Sequence, residues 1–131
     1  MAQLKALGWS VERAEWVASA IESHSYSAWI APASLEARIL QDADRLDAIG
    51  FTGIARCFYT AGRMGSSLYD TSDPRAERRD RNDAAFALDH FPAKLLGLAD
   101  DFKTAMGRVF AAKRQEAIRS FYEGMLNEVA S

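Results

Sequence analysis

Gln41-Asp42-Ala43-Asp44-Arg45-Leu46-Asp47 places three carboxylates within six residues of a segment that otherwise favours helix. Ser34, just upstream, suits an N-cap, and the helix it opens is expected to run to about Ile49, with Gly50 at its end. Leu35, Ile39, Leu46 and Ile49 form the apolar stripe of this helix. At ~100° per residue, Asp42 falls inside that stripe and Asp44 on the other side, among Ala37, Leu40 and Ala48. Asp44 and Asp47, three apart, can face one pocket. A carboxylate turned toward protein needs a cation, a metal or several donors. Two readings stand side by side: the acids pair with Arg38, Arg45 and Arg56, or they serve a metal.

Working outward, Ser10 caps an expected helix over about Ser10–His24, with Val11, Ala14, Val17, Ala18 and Ile21 at helical spacing. Ser25–Ala33 is turn-rich, and Thr52–Thr60 predicts a short third helix carrying Arg56 and Cys57. Residues 62–83 form a long loop by composition; loops of this length inside a domain are functional or mobile as a rule. Helical periodicity returns from Ala84, breaks at Gly97, and resumes over about Asp100–Val129 with Phe102, Met106, Val109, Phe110, Ala117 and Phe121 on one face. No strand and no internal repeat is evident. The chain reads as a single all-α domain over residues 1–131.

Several other residues could carry chemistry. His24, in Glu22-Ser23-His24-Ser25, could serve as metal ligand, phosphate contact or general acid–base, or could cap a helix end. His90, before Phe91-Pro92, reads as structural. Arg63, between Gly62 and Gly65, suits a phosphate contact, whereas Arg75, Arg78, Arg79 and Arg81 interleave with Glu77, Asp80 and Asp83 as a salt-bridged surface. Trp9, Trp16 and Trp29 read as core or interface anchors.

The net charge of −2 gives no electrostatic case for nucleic acid or an anionic membrane, and no apolar run is long enough to span a bilayer. Cys57 is the sole cysteine, which excludes an internal disulfide and a Cys-rich zinc site and fits a cytoplasmic protein.

Ile21-Glu22-Ser23-His24-Ser25-Tyr26-Ser27, the segment Ser34–Gly50 and Gly53-Ile54-Ala55-Arg56-Cys57-Phe58 together resemble the second half of small bacterial HD-domain hydrolases. His90-Phe91-x-x-Lys94-Leu95-Leu96 and Gly107-Arg108 extend the resemblance over most of the chain. It implies an all-helical HD-like bundle that binds a divalent metal through a His, a His-Asp pair and a later Asp. The metal activates water to attack a phosphoester, often of a nucleotide. The later Asp maps onto Asp44, with Asp47 supporting the site and His24 lining it. No His of this chain is followed by Asp, and its helical segment begins directly after Gly8. The resemblance therefore implies a C-terminal part without the first helices of the family fold, weakly active alone. The alternative is a non-catalytic module that covers an orphaned face (Trp16, Ala37, Leu40 and Ala48 around Asp44, with Arg45 or Arg56 nearby) by forming a homo-oligomer.

Overall fold

Ser10 and Ser34 both act as N-caps, accepting from the amides of Arg13 (3.3 Å) and Ala37 (3.1 Å). The computed structural model describes residues 2–25 and 30–129, so the expected anchor Trp29 lies outside the described residues. Five α-helices follow in order: α1 Ala2–Ala6, α2 Val11–Ser23, α3 Leu35–Asp47, α4 Gly50–Met64 and α5 Ala105–Val129. The fold is all-α. No helix among the described residues is long and apolar enough to cross a membrane.

The turn between α3 and α4 is only two residues long, closed by Gly50 at φ +74°. That left-handed conformation suits glycine, and a Cβ there would press on the Arg114 side chain of α5. Consequently α4 begins earlier and ends later than the expected Thr52–Thr60 helix. It stops at Gly65, whose φ of +73° lets the Ser66 amide close on the Ala61 carbonyl at 2.9 Å.

Residues 84–101 depart from the expected helix. They form a 3-10 turn at Ala87–Asp89, a π-helical turn at Phe91–Leu95 containing Pro92, and a second 3-10 turn at Leu98–Asp101. Pro92 stands at the start of the π-helical turn, where its missing amide hydrogen costs nothing. At the other end of that turn Gln115 of α5 donates to the carbonyls of Leu95 (3.2 Å) and Leu96 (2.8 Å).

The core gathers where α4 and α5 meet these turns: Ile49, Ile54, Leu88, Phe91, Leu95, Leu98, Phe102, Ala111, Ile118 and Leu126. The Phe91 ring stacks on Phe121 and Tyr122 at 5.5 and 5.6 Å. Two expected apolar stripes are buried only in part: Ile49 and Phe102 lie in the core, and Leu46 and Phe121 pack against it. Leu35 and Ile39 of α3 are 61% and 52% exposed, and Met106, Val109 and Phe110 of α5 are also exposed. In their place α5 buries Gly107, Ala111, Gln115, Ile118 and Leu126. Trp9 and Trp16 are likewise outside the core, with the Arg13 guanidinium 4.5 Å from the Trp9 ring.

The long loop is tied down. Asp89, 3% exposed, holds the Arg79 guanidinium at 2.5 and 3.0 Å and accepts the Asn82 amide at 2.7 Å. Burial works to raise the Asp89 pKa, but these donors outweigh it and the group lies below the usual aspartate range. Ser67 and Leu68 then pair with Ala87 and Leu88 through 2.9 Å backbone bonds. Arg79 also pairs with Asp70, so both of its acid partners lie outside the 75–83 run rather than being the interleaved Glu77, Asp80 and Asp83.

On α3, Ala37, Gln41, Asp42 and Arg45 are buried. Gln41 donates to the Ser23 carbonyl at the end of α2 (2.8 Å), and Arg45 pairs with Asp101 at 3.0 Å. Asp42 accepts the Lys103 and Thr104 amides at 2.8 Å each and the Thr104 hydroxyl at 2.7 Å, while Thr104 accepts the Gly107 amide at 2.9 Å. One buried carboxylate thus caps α5 from another helix. A Cβ on Gly107 would overlap the Asp42 carboxylate.

Asp42→Ala is expected to destabilise the fold by about 2–4 kcal/mol, since it strands three donors at a helix start. Gly107→Ala is expected to destabilise the wild-type background, and to cost less once Asp42 is Ala, where the colliding carboxylate is gone and only the Thr104 hydroxyl at 2.8 Å stays close. Urea denaturation of the four proteins in this cycle checks it; additive losses would contradict the shared contact.

Candidate functional site

Helical geometry sorts the acids of α3 by side. Asp42 is committed to α5, so Asp44, two residues on, must face away. Asp44 is exposed, with no hydrogen bond or ion pair among the described residues. Asp47, also exposed, pairs with Arg56 of α4. Of the pairings expected for the acids, only Asp47–Arg56 forms; the partner of Arg45 is Asp101 instead.

His24 is half-buried at the C-cap of α2, where its Nδ1 donates to the Ile21 carbonyl. This matches the capping alternative of the sequence. The Gln41–Ser23 bond ties its helix end to α3 close to the acids. Arg63 lies exposed on the last turn of α4, its guanidinium 5.9 Å from the Tyr59 ring. Among the described residues no hydrogen bond or ion pair joins any two of His24, Asp44, Asp47 and Arg63.

A divalent ion needs about four to eight ligands. Among the described residues no group of three or more His, Cys, Asp or Glu side chains converges to hold one. Asp44 offers an unengaged carboxylate, but the donors present do not fit a closed metal shell.

A cleft of about 360 Å³ opens beside this region, between α4, the end of the long loop and the π-helical turn. Ala48, one residue past Asp47, lies on its edge, and Arg56 on its wall. Ala61, Ala87 and Leu95 give it apolar surface; His90 and Lys94 give it polar surface. His90 Nδ1 donates to Asp83 Oδ2 at 2.9 Å. None of the four expected site residues lines this cleft. The signal that could have found it is His90-Phe91-x-x-Lys94, whose spacing places both side chains on one side of a helical turn.

Cys57 also lines the cleft, its thiol donating to the Ala87 carbonyl at 3.6 Å. Burial, with a smaller contribution from the negative charge of Asp83, pushes its pKa from 9.0 up to about 11.

No family model matches the sequence. A relative in Bacillus subtilis (strain 168), YpgQ, is 38% identical over 98 residues, 75% of this chain and 42% of the relative. The crystal structure of Bacillus subtilis YpgQ superimposes with a TM-score of 0.76 at 35% identity, covering 97% of this chain and 60% of that one. YpgQ has also been solved in complex with ADP, again with a TM-score of 0.76 and with 58% of that chain covered. An HD-superfamily hydrolase from Bacillus thuringiensis matches with a TM-score of 0.74 at 32% identity, over 99% of this chain and 60% of its own. The all-α fold and these likenesses define the class: the chain belongs to the HD superfamily. It spans about three-fifths of the length of the solved relatives.

Cys57 is expected to react slowly with iodoacetamide at pH 8, where about 0.1% is thiolate, and to speed up roughly tenfold per pH unit toward pH 10. Mass-spectrometric rates check this; a plateau below pH 9 would contradict burial of the thiol.

Proposed function

We propose that this chain forms part of an HD-type, metal-dependent phosphohydrolase acting on a phosphorylated small molecule or nucleotide. The observation that carries this reading is the division of the acids on α3. Asp42 is used up in capping α5 and Asp47 by Arg56, while Asp44 stays exposed and unengaged in a chain of HD-superfamily fold. A carboxylate presented from a fixed helix face with no internal partner is open to an external cation. The resemblance assigns the metal to this residue. The ADP complex of YpgQ supports a nucleotide as the ligand class. In this reading Asp44 is one metal ligand, Asp47 orients Arg56, His24 lines the site, and Arg63 meets substrate phosphate from the edge. The other metal ligands belong to the rest of the assembled enzyme.

In a longer form of the protein, Asp44→Asn is expected to lower bound divalent metal and to cut phosphoester turnover by at least about a hundredfold, since the change removes charge at constant size. The 131-residue chain alone is expected to show little metal-dependent hydrolysis of a nucleotide panel. Normal metal content in the Asp44→Asn protein, or brisk turnover by the short chain, would overturn the assignment.

A second reading is favoured by one observation: Trp16, Leu40, Phe51 and Tyr59 are exposed apolar side chains on α2, α3 and α4. Ala37, expected among them, is buried at 1% exposure and takes no part in this surface. A non-catalytic, self-associating module would cover such surface with a second copy. Sedimentation at micromolar concentration is expected to show a concentration-dependent dimer of the 131-residue chain; a monomer across that range would remove this reading.

A further inference from the structure

The exposed apolar residues of α3 and α5 belong to one surface. Asp42 meets Lys103, Thr104 and Gly107, and Arg114 meets the Leu46 carbonyl, so the two helices run in the same direction. At ~100° per residue, Ile39 lies ~60° from Asp42 in one sense, and Phe110 and Met106 lie ~60° and ~100° from Gly107 in the other. For parallel helices in contact, those two senses lead to the same side. Leu35 and Ile39 therefore stand opposite Met106 and Phe110 across a groove whose floor is the Asp42–Gly107 contact. These four side chains are between 49% and 62% exposed. Gly107 adds no side chain of its own, which keeps the floor low.

The charge of this groove differs from that of the chain. The net charge is −2, yet residues 102–115 hold Lys103, Arg108, Lys113 and Arg114 and no acid. Lys113 follows Phe110 by three residues, on the groove side of α5, and has no hydrogen bond or ion pair among the described residues. Arg114 is held by a carbonyl rather than a carboxylate, so its charge is not neutralised.

An apolar groove between two helices accepts the ridge of a third. The four side chains call for apolar cover, and Lys113 and Arg114 call for carboxylates. A second copy pairing through the same groove brings its own acid-free 102–115 segment and so does not supply them from α5. A lipid surface is flat, whereas these side chains stand on two walls.

We propose that the α3–α5 groove docks an acidic amphipathic helix of a partner protein, with the apolar ridge of that helix between Ile39 and Phe110 and its carboxylates on Lys113 and Arg114. The inference goes beyond the phosphohydrolase reading and uses none of its site residues. It is also separate from the self-association reading, which rests on Trp16, Leu40, Phe51 and Tyr59.

The probe is a synthetic peptide of about 14 residues with leucine at i, i+3, i+4, i+7 and i+11 and glutamate on its other faces; an analogue carries lysine in place of glutamate. Each is titrated into the 131-residue chain by calorimetry and by backbone amide shifts. The glutamate peptide is expected to bind at least tenfold more tightly than the lysine analogue and to shift the amides of Ala43, Met106 and Phe110. Phe110→Ser should weaken the glutamate peptide at least tenfold. Lys113→Glu should weaken the glutamate peptide and strengthen the lysine analogue, a gain that misfolding cannot produce. Arg119→Glu makes the same change of charge at an exposed residue on the other side of α5, and should leave glutamate-peptide binding within about twofold of the wild type. No binding of the glutamate peptide, shifts confined to other surfaces, or equal weakening by Lys113→Glu and Arg119→Glu would overturn the proposal. So would tighter binding to phosphatidylglycerol vesicles than to the peptide, or groove amides that shift with protein concentration when no peptide is present. Those last two results would make the occupant a lipid surface or a second copy.

Discussion

The fold depends on one buried carboxylate. Asp42 of α3 accepts two amides and a hydroxyl at the start of α5, the longest helix and the one that packs on both α3 and α4. A helix start presents unpaired amides and a partial positive charge, so an anion placed there serves both needs. The contact is reciprocated one turn further along, at the C-terminal end of α3, where Arg114 of α5 donates to the Leu46 carbonyl. Opposite helix ends are thereby satisfied by charges of suitable sign, each from the other helix. Gln41 and Arg45, on the same side as Asp42, extend the arrangement to α2 and to the turn at Asp101. The α3 interface is thus a polar layer over an apolar core, and its specificity comes from matched donors and acceptors rather than side-chain volume.

This layer explains which features were legible in the sequence. Helices α2 and α3 were legible because Ser10 and Ser34 act locally, within three residues of the amides they cap. The all-helical class was legible too. The buried sides were legible only in part, through Leu46, Ile49 and Phe102. Leu35 and Ile39 repeat at helical spacing, but periodicity gives a direction on the helix without saying what meets it. In α3 the inward side is Gln41, Asp42 and Arg45, and in α5 it includes Gly107, Ala111 and Gln115. Polar and small residues give little hydrophobic signal, and their burial follows from partners distant in sequence. The turns over 87–101 were obscured for a related reason: the carbonyls of Leu95 and Leu96 at the end of the π-helical turn are met by Gln115, twenty residues from Leu95.

The candidate site was legible in part. The acidic string marked the correct helix, but three carboxylates of similar appearance have three different situations. Asp42 is buried in a cap, Asp47 is held in an exposed ion pair, and Asp44 is exposed and unengaged. Nothing in a string of acids distinguishes these situations, because the difference lies in Thr104 and Arg56. His90 shows the converse. Its pairing with Asp83 is structural, as expected, and the same pairing orients the ring at the wall of a cleft.

Structure and candidate chemistry are therefore coupled through the geometry of one helix. Residues two apart on an α-helix point about 200° from each other. Locking Asp42 onto the start of α5 consequently turns Asp44 outward, and any rotation of α3 that buried Asp44 would break the cap. Gly107 enters the same chain of causes. With a side chain there, Asp42 could not reach the Thr104 amide, and α3 would lose the contact that sets its rotation. A glycine in the first turn of α5 thus determines the direction of a carboxylate on α3, with no contact between the two. The polar layer on the inner side of α3 stabilises the bundle and also fixes which acid is presented to whatever binds outside it.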